Sequence, residues 1–270
     1  MKIAFLGGGN MATALIGGLL AKGFAAASLH VVEPLEGSRQ GLAETFGVRC
    51  SAAVDDEALA SDTWVLAVKP QQMRTALAPL AGKLKDQLVI SIAAGLRLDD
   101  VGRWLGGHHR LVRTMPNTPA LIGAGMTGLY AAPAVDAAGR DRAELVLRAV
   151  GDTVWLDDEA MMDAVTAVSG SGPAYVFYFI EALEAAAREF GFDPAAARRL
   201  AVGTVLGAAR LAAAGDEPVA ILRERVTSKG GTTEAALQSF AGDRIAEAIG
   251  RGIRAAAQRS CELGEQMGKS

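Results

Sequence analysis

The chain of 270 residues predicts two unlike halves. The first is an α/β domain with a doubly wound, mostly parallel sheet, and the second is all α. Three observations predict this. Short apolar runs alternate with amphipathic stretches as far as Val150. A glycine-rich turn joins the first apolar run to the first helical one. After Asp157 no strand-like run bounded by turns recurs. The domains are therefore expected to be residues 1–157 and 158–270.

The strand candidates of the first half are residues 3–6, 29–32, 63–68, 88–92 and 110–113. They are continuous apolar runs rather than alternating ones, as expected for a parallel sheet covered on both faces. Helical stretches lie between them at 11–21, 37–46, 71–80 and 99–105. Residues 127–131 and 153–156 read as edge strands, with a helix over 136–150 between them. The second half reads as helices over 161–168, 173–190, 194–214, 218–225 and 234–265. Pro173 and Pro194 stand where a first-turn proline is tolerated, and Asp193 is a good N-cap. Ile245, Ile249, Ile253 and Ala257 recur every four residues as one apolar stripe. These five helices carry more apolar surface than so small a bundle hides alone, which predicts a homodimer through this half.

The glycine turn carries the first chemical inference. Lys2 to Leu6 form a buried strand, Gly7, Gly8, Gly9, Asn10, Met11 and Ala12 follow at once, and a helix begins. This is the opening of a Rossmann unit. Gly7 allows the tight turn, Gly9 lets backbone approach a pyrophosphate, and Ala12 lets the helix pack on the strand. The helix N-terminus then offers N–H groups and a positive dipole end to phosphate. The second strand ends on Glu33, 21 residues past Ala12, where a ribose-binding carboxylate is expected. The pattern predicts dinucleotide binding, with a glycine turn used only for packing as the alternative.

Composition excludes other classes. The net charge of −3 gives no electrostatic case for nucleic acid. The two cysteines, Cys50 and Cys261, lie far apart in no motif, which suggests a reducing compartment and argues against a thiolate metal site. No metal site is expected. The first strand starts at residue 2, leaving no room for a signal peptide, and no apolar run approaches the length of about 18 residues needed for a membrane span. A cytoplasmic chain with no membrane partner is expected.

Five further loops stand out. Ala67, Val68, Lys69 and Pro70 end one strand run, so the Lys69 ammonium emerges at the sheet edge, facing phosphate, ribose or an anionic substrate, or else solvent. Ile92, Ala93, Ala94 and Gly95 end the next, with side chains small enough for a flat ring to approach the backbone. Asn117 sits between Pro116 and Pro119, placed for a substrate, a nicotinamide amide or its own turn. In the helical half, residues 169–173 and 228–233 are glycine-hinged polar helix entries. Such entries cradle anions with N–H groups and hydroxyls. Glu234, in the first turn after the second entry, weakly opposes an anion there.

Missing groups narrow the reaction. The three histidines, His30, His108 and His109, all fall in the first half, and no lysine occurs between Lys85 and Lys229. A β-hydroxyacid dehydrogenase needs a group in the second domain to take the hydroxyl proton, and none is evident. A protonated C=N bond is already electrophilic and asks mainly for positioning. A nucleotide-sensing Rossmann dimer is the non-enzymatic alternative, but it would not need two polar glycine loops in the helical half.

Taken with residues 5–12, 67–70, 115–119, 169–175 and 226–233, the sequence resembles the pyrroline-5-carboxylate reductase family over essentially its whole length. The resemblance implies hydride transfer from NADPH or NADH to the C=N bond of 1-pyrroline-5-carboxylate, giving L-proline. It also implies a helical dimerisation domain and often a larger ring of dimers. Carried over by motif, Leu6 to Met11 hold the pyrophosphate, while Ala67 to Pro70 and Ile92 to Ala94 line the rest of the cofactor. Gly230, Gly231, Thr232 and Thr233, with Ser228, bind the substrate carboxylate, and Glu159 matches an acid near the substrate. Thr166 is the candidate proton relay, and Lys69 is a second candidate for the reaction. Arg225 departs from the family, standing where several relatives carry an amide. Glu33 departs too, where NADPH-preferring relatives carry a small polar residue; a carboxylate accepts from a 2′-hydroxyl but repels a 2′-phosphate, and Arg39 nearby offsets that repulsion in part.

Overall fold

The computed structural model describes residues 1–269; Ser270, the last residue of the expected second domain, lies outside them. The chain packs as two units. Among the described residues, the first comprises residues 1–171 with those from 256 onward, the second residues 172–255. The packing boundary thus falls at Ser171/Gly172, not at the change of pattern after Asp157. The reason is physical: the segment after Asp157 is anchored to the sheet by side chains described below, and so is the end of the last helix.

The first unit is built on eight strands: β1 (Ile3–Leu6), β2 (Leu29–Val32), β3 (Arg49–Ser51), β4 (Thr63–Leu66), β5 (Leu88–Ser91), β6 (Leu111–Met115), β7 (Gly125–Ala131) and β8 (Gly151–Trp155). Their order is β3-β2-β1-β4-β5-β6-β7-β8. The first six are parallel in doubly wound order, β7 runs antiparallel to β6, and β8 parallels β7. Side chains alternate between two cores. Ile3 and Phe5 of β1 join one apolar cluster, Ala4 and Leu6 the other, so both faces are covered and continuous apolar runs result.

On the first face lie α1 (Asn10–Ala21), α2 (Glu36–Phe46) and α6 (Ala137–Leu147); on the second lie α3 (Asp56–Leu59), α4 (Met73–Leu77) and α5 (Leu98–Trp104). α7 (Met161–Val165) runs directly into one π turn, Thr166–Gly170. Three expectations are corrected here. β3, with α3 after it, went unread, because Arg49-Cys50-Ser51 is a partly exposed edge with no apolar run. The stretch 71–80 is not one helix but α4 between 3₁₀ turns at Pro70–Gln72 and Ala78–Leu80, since Pro79 has no N–H to give. Ala67 and Val68 belong to the turn after β4, not to the strand.

The second unit contains α8 (Gly172–Glu189), α9 (Pro194–Ala213), α10 (Val219–Arg225), α11 (Thr232–Gly242) and the first part of α12 (Ile245–Lys269). Asp193 caps α9, accepting from Ala195 N–H at 2.9 Å and Ala196 N–H at 3.0 Å. The expected single helix over 234–265 is broken in two. Gly242 weakens the helix, and Arg244 takes a left-handed conformation at φ +55° while its guanidinium pairs with Glu247. α8 buries none of its residues. Tyr178 is 77 % exposed, and Phe177, Phe179, Phe190 and Leu211 are all half exposed or more. Such an apolar surface on one unit marks an association face.

Candidate active site

The reversal of strand order between β1 and β4 opens a crevice at their carboxyl ends, where a doubly wound sheet binds its ligand. The sheet's hydrogen bonding carries on into this rim. Gly7 N–H donates to Val32 O at 2.8 Å, Ala67 N–H to Leu6 O at 2.8 Å, and Ile92 N–H to Leu66 O at 3.2 Å. Gly7 sits at φ +98°, and a Cβ there would stand 2.9 Å from Ala67 O and from Val68 Cγ1. The glycine turn and the turn after β4 are therefore in direct contact, which brings Leu6 to Met11 together with Ala67 to Pro70.

Gly9 is different. It begins α1 with no side-chain cap, and a Cβ on it would meet nothing within 4 Å. No packing demand explains a glycine here; open space beside uncapped helix N–H groups fits a phosphate that needs close approach. The first turn of α1 carries no acidic residue. Beyond the ends of β1 and β2 lies a cavity of about 470 Å³ lined by Leu6, Val32, Pro34, Val54, Val68 and Gln72, among others. Its apolar walls suit an adenine, so the residues present fit a dinucleotide.

Glu33 closes the same rim. It is 9 % exposed, and its carboxylate accepts from Gly8 N–H at 2.9 Å and from Leu35 N–H at 2.9 Å. Arg39 is held close by, donating from Nη1 to Glu33 O at 2.8 Å and Pro34 O at 2.6 Å. Lys69 is exposed at the head of the 3₁₀ turn after β4. Ile92, Ala93 and Ala94 follow β5, the neighbour of β4.

Farther along the sheet edge, Asn117 is consumed by structure. Its amide donates to Ser169 O and Ser169 Oγ, each at 3.2 Å, and its carbonyl accepts from Met126 N–H at 2.9 Å. It fastens the π turn to β7. Thr166 opens that π turn, and its hydroxyl donates to Met162 O at 2.8 Å. π turns are frequent at functional sites. Glu159 is held in an ion-pair network that sequence reasoning missed. Its Oε1 accepts from Arg113 Nη1 at 3.0 Å and from Leu98 N–H at 2.9 Å. Asp163 accepts from Arg97 Nη2 at 2.7 Å and Ser260 Oγ at 2.7 Å. Arg113 is 2 % exposed, and burial pulls its pKa below the usual guanidinium value. At Arg97 burial also pulls down, but the Asp163 and Glu159 carboxylates outweigh it and the net direction is up.

In the second unit the loop before α11 is a compact anion-type entry. Gly230 stands at φ +72°, Gly231 N–H donates to Ser228 O at 3.0 Å, and Gly231 leaves α11 without a side-chain cap. Thr232 and Thr233 thus present first-turn N–H groups that no helical carbonyl reaches. Glu234, expected to weakly oppose an anion here, lies against the loop: its Oε2 accepts from Gly230 N–H at 2.6 Å, fixing the loop and taking up that donor. Arg225 pairs with Glu217 at 2.6 Å.

A Rossmann cleft with a dinucleotide-fitted rim, on a chain that also carries a helical association domain, defines a dinucleotide-dependent oxidoreductase. Residues 2–95 match the family described as NADP oxidoreductase coenzyme F420-dependent, and residues 159–263 match the family described as pyrroline-5-carboxylate reductase dimerisation. The chain is 45 % identical over 269 residues to a pyrroline-5-carboxylate reductase of Pseudomonas aeruginosa, covering 99 % of this chain and 98 % of that one. A solved pyrroline-5-carboxylate reductase from Coxiella burnetii superposes with a TM-score of 0.93 at 39 % identity, covering 97 % of this chain and 98 % of that one. One from Plasmodium falciparum, with NADP bound, superposes with a TM-score of 0.86 at 27 % identity, covering 98 % of each. The chain belongs to the pyrroline-5-carboxylate reductase family: it is an NAD(P)-dependent oxidoreductase of the last step of proline biosynthesis and carries that family's dimerisation domain. Among the described residues no helix is long and apolar enough to cross a membrane, and no cluster of three or more potential metal ligands occurs.

Proposed function

We propose that the residues above divide the reduction of 1-pyrroline-5-carboxylate to L-proline among them. The bound dinucleotide supplies a hydride to the imine carbon, and a proton goes to the ring nitrogen. Leu6, Gly7, Gly8, Gly9, Asn10 and Met11 hold the pyrophosphate; the open space at Gly9 is the observation that supports this best. Ala67, Val68, Lys69 and Pro70, with Ile92, Ala93 and Ala94, line the remainder, and Lys69 adds a cation to an anionic ligand. Glu33 accepts from the ribose 2′-hydroxyl, so NADH is used appreciably beside NADPH.

Ser228, Gly230, Gly231, Thr232 and Thr233 form the pocket for the substrate carboxylate: Thr232 and Thr233 offer first-turn N–H groups and, with Ser228, hydroxyls, while Gly230 and Gly231 shape the loop around it. Thr166 passes the proton. Its bond to Met162 O runs back four residues along its own helix, a contact the hydroxyl leaves by one side-chain rotation. Glu159 acts through Arg113 and Leu98, orienting the substrate side of the sheet edge. The enzyme works in the cytoplasm, and dimers assemble further into a ring. Steady-state NADH oxidation with 1-pyrroline-5-carboxylate tests the assignment. Thr233→Ala raises KM for the imine roughly tenfold, the loss of about one charge-assisted hydrogen bond, and leaves KM for the cofactor unchanged. Equal rises in both would make the loop a purely structural element.

A further inference from the structure

The loop after β5 has little with which to hold its own shape. Ala93, Ala94 and Gly95 carry at most a methyl group, and Gly95 stands at φ +79°. Its support comes from the far end of the chain. A Cβ built on Gly95 would stand 2.9 Å from Met267 Cε and 3.6 Å from Gly264 N. A Cβ built on Gly264 would stand 2.6 Å from Gly95 O, a backbone atom of the loop. Met267 also packs against the apolar cluster that contains Ala93 and Leu96.

The same helix face ties down the residues that follow. Ser260, four residues before Gly264, donates to Asp163, which accepts from Arg97. Leu98 N–H is held by Glu159. Spacings of four and three put Ser260, Gly264 and Met267 on one side of α12. The loop therefore lies between the sheet below and the last turns of α12 beside it.

We infer that Gly264, with Met267, is a positioning residue for the cofactor: it lets α12 close on Gly95 and so sets where Ile92, Ala93 and Ala94 present their backbone. The inference rests on the reading that this loop lines the cofactor. Displacing such a backbone by about 1 Å is enough to cost up to a hundredfold in rate.

The test measures NADH dissociation by fluorescence and the two KM values for the full-length enzyme. Gly264→Ala is expected to weaken NADH about fivefold or more while KM for the imine stays within about twofold. Met267→Ala removes the support without adding atoms and is expected to weaken NADH in the same sense; it decides the matter if Gly264→Ala does not fold. Glu265→Gly, at an exposed position in the same turns, loosens the helix without touching the loop and is expected to leave NADH affinity unchanged. An equal loss in Glu265→Gly would mean general loosening of the helix end and would overturn the inference. Ala94→Leu, within the loop, separates the two readings. If it weakens NADH while Gly264→Ala and Met267→Ala do not, the loop lines the cofactor and the support from α12 is refuted. If it too is silent, the loop reading fails, and the inference with it.

Discussion

Replacing Gly9 by alanine separates folding from cofactor binding. The new methyl enters space with no heavy atom within 4 Å, and the backbone, at φ −71° and ψ −178°, is open to any residue. Two small effects on stability oppose each other. Alanine restricts the unfolded chain, worth about 0.4–1 kcal/mol in favour of folding. Alanine is also a poorer N-cap than glycine, a cost of about 0.5–1 kcal/mol. The difference is within about 0.5 kcal/mol, or roughly 1–2 °C in Tm for a chain of this size. Binding behaves otherwise. The methyl stands where a pyrophosphate would come against the N–H groups of α1, and losing one such charge-assisted bond is worth about 1.5–3 kcal/mol, roughly 10- to 100-fold in cofactor Kd. Thermal unfolding without ligand and NADH titration by fluorescence measure both quantities. A drop in Tm of several degrees with unchanged NADH affinity would refute the argument, since Gly9 would then be a packing glycine.

Three other outcomes follow from the geometry. Glu33→Ser raises the ratio of kcat/KM for NADPH over NADH by about tenfold, because the 2′-phosphate no longer meets a carboxylate while Arg39 stays within reach; an unchanged ratio would exclude Glu33 from cofactor choice. Arg113→Met leaves Glu159 without its buried cation, while Asp163 keeps Arg97. Breaking a buried pair from one side costs about 3 kcal/mol or more, or roughly 6–12 °C in Tm, and a loss under about 1 kcal/mol would show that the Glu159 carboxylate is hydrated instead. His108 is buried, and burial lowers its pKa against a bond from Nε2 to Gln87 O at 2.9 Å. The unfolded chain then binds its proton first, so stability is lost as pH falls below the ordinary histidine value of about 6.5 and on through the lower folded value. Urea midpoints measured from pH 7.5 to 5 should fall less for His108→Gln than for the parent; parallel curves would remove His108 as the cause.

The strands β1, β2 and β5 were legible because burial on both faces writes itself as an unbroken apolar run. β3 was not, since three partly exposed residues at an edge need no such run. The break before α12 was hidden because Gly242 and Arg244 interrupt no periodicity; the apolar stripe from Ile245 onward continues a helical spacing that fits either side. At the site, the shapes of Gly7 to Met11 and of the loop before α11 were readable because each depends on neighbours in sequence; Glu33 was readable from its spacing, though its bond to Gly8 N–H spans 25 residues. Asn117 and Glu159 were readable as residues but not in role, because their partners, Ser169 and Arg113, lie 52 and 46 residues away. Asp163, Ser260 and Gly264 carried no signal. Each acts through a contact between distant segments, Asp163 with Arg97 and Ser260, and Gly264 with Gly95.

The bare face of α8 makes the oligomer part of the folding reaction itself. A helix with no fully buried residue gains little by forming alone. Much of its apolar surface, beyond what packs on α9, leaves water only when a second chain arrives, so the second unit reaches its full stability in a bimolecular step. The unfolding midpoint therefore rises with protein concentration, and dilution threatens the dimerisation half of the molecule before it threatens the nucleotide-binding sheet, whose two cores are complete within one chain.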